Sequence, residues 1–253
     1  MPLLNIPSGE QGTRAVLLKM RELTNKDTAN QSIIEFTNDL VSDLPERNQK
    51  EEAKRIFEFV RDKIRYVKDP FRVETVYSAS KTLDPVKTED GWNLAGRMQA
   101  DCDCKSVVAA TMLQSIGMPT RFVAIKTPFK PTGFSHVYLE ALINREWIPM
   151  ETILKKPFGW EYKLPLEKLY LDNTTGNIVK KAGFLSGLGE PLLIIDGLGM
   201  LMSNVDYIED YKGNRLADIR TDLTKTLSNP LVIISLIIMG FALIPKLFVK
   251  KRR

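Results

Sequence analysis

The fold open to this chain is limited most by the order of patterns between residues 101 and 153. Asp101 is a favoured N-cap type, and the apolar residues Val107, Val108, Met112, Leu113 and Ile116 recur at helical spacing until Gly117-Met118-Pro119 stops the run. The period then changes. Segments 120–126, 135–143 and 146–153 read as strands, and Asn144-Arg145 is a two-residue hairpin turn between the last two. Helical patterns at 13–25, 30–44 and 45–67 precede all of this, so helices are followed by antiparallel strands and the expected class is α+β. Between them, residues 69–99, with Asp84-Pro85 and Asp90-Gly91, read as a long loop that walls a cleft.

The same segment carries reactive chemistry. Cys102 lies in the first turn of the predicted helix, where unpaired backbone N–H groups and the positive end of the dipole favour an anion. With a neighbouring imidazole, that position is expected to lower the thiol pKa and make Cys102 a nucleophile. The only histidine in the chain, His136, stands at the start of the second strand. A turn at Asn144-Arg145 pairs Ile143 with Glu146 and, further back, Tyr138 with Glu151. His136 then shares a face with Glu151 on the diagonal, at about 7 Å between backbones. A carboxylate there would orient His136 and stabilise its imidazolium. A register slip of one residue would destroy the arrangement. Asp101 and Asp103 read as cap and helix-start residues, and Cys104 as structural. Cys102, Cys104 and His136 are only three soft ligands with no C-x-x-C or histidine pair, so neither a metal nor any other cofactor is expected.

Several blocks, in order, resemble the transglutaminase-like superfamily with its papain-type Cys-His-Asp fold. Ala100-Asp101-Cys102-Asp103-Cys104-Lys105-Ser106 is similar to the family's G-D-C-D-D-K-S nucleophile motif. Phe134-Ser135-His136-Val137-Tyr138-Leu139-Glu140 resembles its histidine strand, and Trp147-Ile148-Pro149-Met150-Glu151 its W-x-x-x-D strand. Ile64 to Pro70 and Leu113 to Val123 fit the flanking segments. The resemblance is closest to small members carried by bacteria and their phages, and it implies a nucleophile helix packed on an antiparallel sheet. It also implies a triad of Cys102, His136 and, where the family has aspartate, Glu151. Tyr66 is the residue that would carry over as an aromatic oxyanion donor, beside the backbone N–H of Cys102. Ala100 replaces the family's glycine and Cys104 an aspartate, exchanging a surface charge for a second thiol. The implied activity is acyl transfer on protein or peptide amides, either hydrolysis or crosslinking. A catalytically inactive structural or assembly protein, in a phage particle for example, is the other reading.

Residues 230–249 form a mostly apolar run followed by Lys250-Lys251-Arg252-Arg253, long enough to cross a bilayer if Lys246 snorkels. The basic tail places the C-terminus in the cytoplasm. The N-terminus has no basic region or apolar stretch of a secretory signal, and so gives the opposite cue. A membrane-anchored protein, or a virion component, is expected. With 26% charged residues and a net charge of +5, basic residues are interleaved with acidic ones and no phosphate loop accompanies them, which argues against a nucleic-acid partner. The expected organisation is an N-terminal helical layer at 1–54, a catalytic core at 55–170, a Gly/apolar connecting region at 171–227, a transmembrane helix at 228–249 and a basic tail at 250–253.

Overall fold

The computed structural model describes residues 9–45, 47–69, 75–127, 133–163, 165–182, 207–209 and 215–218. The chain divides into two units, Met1–Gly189 and Glu190–Arg253. In the second, the described residues form an antiparallel pair of short strands, β10 (Tyr207–Glu209) and β11 (Arg215–Asp218). The expected transmembrane helix and basic tail lie outside the described residues. Among the described residues, no helix is long and apolar enough to cross a membrane.

The first unit opens with three helices, α1 (Gly9–Asp27), α2 (Gln31–Val41) and α3 (Gln49–Lys63). Asn30 and Asn48 cap the second and third, each accepting from backbone N–H groups of the first turn. The helical pattern predicted from Pro45 to Val67 is thus shorter at both ends, and Arg65–Tyr66 is a strand, β1. The segment read as a long loop holds a short helix, α4 (Ala79–Leu83), and three strands, β2 (Pro85–Thr88), β3 (Gly91–Leu94) and β4 (Gln99–Ala100). Tertiary contacts stabilise pieces too short to stand alone: the buried Asp27 carboxylate accepts from Ser80 N–H at 2.6 Å, at the start of α4. Gly96 crosses the end of α4 so closely that a Cβ there would lie 2.4 Å from the Thr82 carbonyl oxygen.

The helix α5 (Cys102–Ser115) starts directly after Asp101, the expected cap. Its apolar spacing predicted one buried stripe, but every residue from Asp103 to Leu113 is buried. The reason is its place: α1, α3 and α4 pack on α5, and so do β5 (Thr120–Lys126) and β6 (His136–Ile143). The sheet continues with β7 (Glu146–Met150), β8 (Glu167–Asp172) and β9 (Ile178–Ala182), in the order β7-β6-β5-β8-β9, antiparallel throughout. β8 and β9 carry the sheet past residue 170, where the sequence placed the end of the core. Phe122, Ala124, Val137, Leu139, Ala141, Leu169 and Leu171 line the main core. Val123, Ile125 and Tyr138 point to the other face, with Tyr162 and Tyr170 against them. Helices followed by one antiparallel sheet make the fold α+β, as expected.

Candidate active site

Two main-chain pairings deliver Cys102. β4 runs parallel to β1, pairing Ala100 with Tyr66, and Val67 N–H donates to the Ala100 carbonyl at 3.0 Å. Asp101 then caps α5: its backbone is extended (φ −86°, ψ −165°) and its carboxylate accepts from Cys104 N–H at 3.0 Å. Cys102 is the first helical residue and is partly exposed. Its thiol faces the Asp103 carboxylate at 3.5 Å and the backbone N–H of Val137, the residue after His136. Tyr66 is brought onto the strand beside the residue that precedes the cap.

The hairpin places the other two residues. Asn144 and Arg145 both have positive φ, 50° and 70°, as a tight primed turn requires. The register is the expected one, Ile143 with Glu146 and Leu139 with Met150. β7 ends at Met150, so Glu151 follows the ladder directly instead of lying within a strand reaching 153. His136 Nε2 and Glu151 Oε2 are 2.5 Å apart, and the two residues are 5% and 3% exposed. The second oxygen, Oε1, accepts from Ile153 N–H at 2.9 Å, which fixes the carboxylate in its plane. Glutamate thus supplies the length needed to reach the ring from this backbone position. Tyr138 stacks on His136, centroids 6.4 Å apart and planes inclined by 28°. Its hydroxyl donates to Glu161 at 2.6 Å, and Glu161 also takes the Lys168 ammonium.

The electrostatics of the thiol differ from the expectation. Burial, followed by the charges of Asp103 and Asp101, pushes the Cys102 thiol well up, and the Val137 N–H opposes this only in part. Two carboxylates beside the sulfur act against the partial positive charge of the helix terminus. Cys104 is not a surface thiol. It is buried, accepts from Tyr77 N–H at 3.2 Å, donates to the Thr75 carbonyl at 3.4 Å, and burial pushes it up as well. Among the described residues, no cluster of His, Cys, Asp and Glu is arranged to hold a metal.

Sequence reasoning gave no role to Lys105. Its position in the nucleophile motif was the available signal. The side chain is 1% exposed and sits in α5 one turn beyond Cys102, donating to main-chain carbonyls of α3. The described groups are a thiol on a helix start, a buried imidazole on the adjoining strand and a carboxylate bonded to that imidazole, the residue types that thiol acyl transfer uses.

Residues 38–152 match the family model of the transglutaminase-like superfamily, a span that includes Cys102, His136 and Glu151. No curated protein matches. Among solved structures, the chain is similar to a "putative protease" from Parabacteroides distasonis, at 11% identity and a TM-score of 0.45, over 70% of this chain and 34% of that one. It is also similar to a "putative cysteine protease" from Cytophaga hutchinsonii, at 12% identity and a TM-score of 0.36, over 72% and 49%. A third structure, described as "a TGase", has 15% identity and a TM-score of 0.29, over 75% and 40%. The chain spans between a third and a half of the length of these proteins.

Proposed function

The chain belongs to the transglutaminase-like superfamily, and we propose that it is a cysteine-dependent acyl-transfer enzyme acting on protein or peptide amides. In this reading Cys102 Sγ attacks the amide carbonyl as His136 takes the thiol proton, and the carbonyl oxygen becomes an oxyanion bonded by the Cys102 backbone N–H. Tyr66 is a second donor in this scheme. His136 then gives the proton to the leaving amine as the C–N bond breaks, leaving a thioester. Water, or a second amine, attacks the thioester and releases the thiol, giving hydrolysis or a crosslink. Glu151 holds His136 throughout.

The observation that carries this reading is the buried His136–Glu151 pair at 2.5 Å, on a strand whose next backbone N–H meets the Cys102 sulfur. A raised thiol pKa favours the second reading, a scaffold that keeps the fold without the chemistry. Alkylation with iodoacetamide separates the two. Labelling of Cys102 that is lost in His136→Ala supports the enzyme; labelling of Cys102 at an unchanged rate in His136→Ala would make the protein a scaffold. The apolar run at 230–249 and its basic tail support the further proposal that the catalytic unit is tethered to a membrane, in a host cell or in a virion.

A further inference from the structure

Two cations share one aromatic ring beside the nucleophile helix. The Lys81 ammonium lies 4.7 Å from the ring centroid of Tyr77, and the Arg97 guanidinium carbon 4.5 Å from it. Both side chains are exposed, and among the described residues neither forms an ion pair with a carboxylate. Like charges on a single ring repel, so the backbone must hold them there. It does so by a tight crossing: the N–H groups of Ala95, Gly96, Arg97 and Met98 donate to the carbonyls of Asp84, Leu83, Lys81 and Thr82 at the end of α4. Gly96 allows this approach, which a Cβ would block. Met98 follows at φ 48°, a left-handed backbone that a non-glycine residue keeps only where its surroundings over-determine it. The crossing thus fixes Arg97 beside Lys81.

The same crossing leads to the thiol. Tyr77 N–H donates to Cys104 Sγ at 3.2 Å, in the first turn of α5. Arg97 precedes Cys102 by five residues, which keeps their Cα atoms within roughly 18 Å. At the sulfur itself the charge is negative, with the Asp103 carboxylate at 3.5 Å and Asp101 as the cap of the same turn. A peptide crossing the start of α5 meets carboxylates at the thiol and uncompensated cations at Tyr77.

We propose that Lys81 and Arg97 form a subsite for an acidic side chain of the peptide substrate, a few residues from the amide that Cys102 attacks. This subsite presupposes the acyl-transfer reading above and narrows its substrate class to peptides bearing Asp or Glu. The guanidinium offers paired N–H donors to a carboxylate, and the ammonium a point charge. Contact with the Tyr77 ring restricts both side chains before binding, which lowers the ordering cost. A carboxylate between the two cations also relieves their repulsion, and a neutral amide of the same shape does not. A stack that only packed the surface would treat Glu and Gln alike.

Epoxysuccinyl probes with a three-alanine arm on each side of the oxirane test this on the full chain. Cys102 Sγ opens the oxirane, the C–O bond breaks and its oxygen takes a proton; each arm reaches roughly 10 Å. One alanine at a time is replaced by Glu, Gln or Lys, and labelling of Cys102 is timed by peptide mapping. On one arm Glu should label roughly fivefold faster than Gln, about what two exposed charge pairs supply. The preference should shrink at about 1 M salt, where screening acts beyond about 3 Å. Lys81→Gln combined with Arg97→Gln should abolish it. Lys81→Glu combined with Arg97→Glu should instead make the Lys probe the faster one at the same position, a gain that a misfolded variant cannot produce. Equal labelling by Glu and Gln at every position of the wild type, or a Glu preference that survives both double variants, overturns the subsite and leaves the acyl-transfer reading standing. Iodoacetamide labelling of Cys102 that ignores His136→Ala sinks that reading and the subsite with it.

Discussion

Glu151→Gln is the substitution on which the geometry speaks most directly. Gln is nearly isosteric, so the buried pocket stays filled and an amide oxygen can still accept from Ile153 N–H, at 2.9 Å in the wild type. What disappears is the charge at the 2.5 Å contact with His136. A charge-assisted hydrogen bond is worth about 1.5–3 kcal/mol, and at about 1.4 kcal/mol per decade its loss predicts a rate lower by roughly 10- to 150-fold. The assay is alkylation of Cys102 by iodoacetamide at pH 7, followed by peptide mapping. Cys104, buried and bonded at both faces of its sulfur, serves as the unreactive internal control. Glu151→Asp makes the comparison sharper. It keeps the charge but withdraws the carboxylate by one C–C bond, about 1.5 Å, which stretches the contact beyond hydrogen-bonding range. Asp should therefore fall between Glu and Gln, even though aspartate is the residue implied by the family resemblance. A Glu151→Gln rate within twofold of wild type would refute an orienting role for Glu151.

Other outcomes follow from the same contacts. Because burial and carboxylates raise the Cys102 thiol, its alkylation rate should still climb steeply above about pH 10, where a solvated thiol with a pKa of about 8.5 has levelled off. Asp101→Ala removes the cap at 3.0 Å and should cost about 1 kcal/mol in a denaturant titration, yet it should speed alkylation, since Asp101 is one of the charges that raise the thiol; slower alkylation of a folded variant would reverse the assignment. Arg145→Gly relieves a non-glycine residue at φ 70° and should stabilise the hairpin, raising stability by about 0.5–1 kcal/mol. Removing residues 228–253 should release the protein from detergent or vesicles with Cys102 reactivity intact; a full chain that is monodisperse in plain buffer would defeat the tether.

The legible parts of the fold were those fixed by local chemistry. Asn144-Arg145 could be read because a two-residue turn sets the whole register, and the register in turn set the His136–Glu151 diagonal. Asp101 could be read because a cap uses its own neighbour's N–H. β8 and β9 were not identified. In β9 only Ile178 is even partly buried, so no apolar alternation marks it, and its place is set by pairing with β8. The five residues of α4 are below the length at which helical periodicity exists, and what holds them is Asp27, 53 residues away. Lys105 was hidden for a related reason. A lysine in a helical pattern reads as solvent-facing, and only the arrival of the end of α3 reveals that it is inside.

The thiol shows most clearly where local reasoning stops. At a helix N-terminus an anion gains about 0.3–1 kcal/mol when exposed, and that gain, with a neighbouring imidazole, is what predicted a lowered thiol pKa. The cap that creates this terminus is itself a carboxylate, Asp101, and the next helical residue, Asp103, is another; both are buried beside the sulfur. Nature of the cap and charge at the nucleophile are thus linked: the side chain that starts the helix also resists a thiolate at its first position. In the proposed acyl transfer, a resting Cys102 that keeps its proton cannot rely on a preformed ion pair. Its proton must leave as the sulfur–carbon bond forms, when the negative charge passes from sulfur to the carbonyl oxygen and away from the two carboxylates. In that scheme the placement of His136 at the moment of attack is the controlling variable. It also explains why a buried, doubly bonded Glu151 and a stacked Tyr138 are spent on fixing one ring.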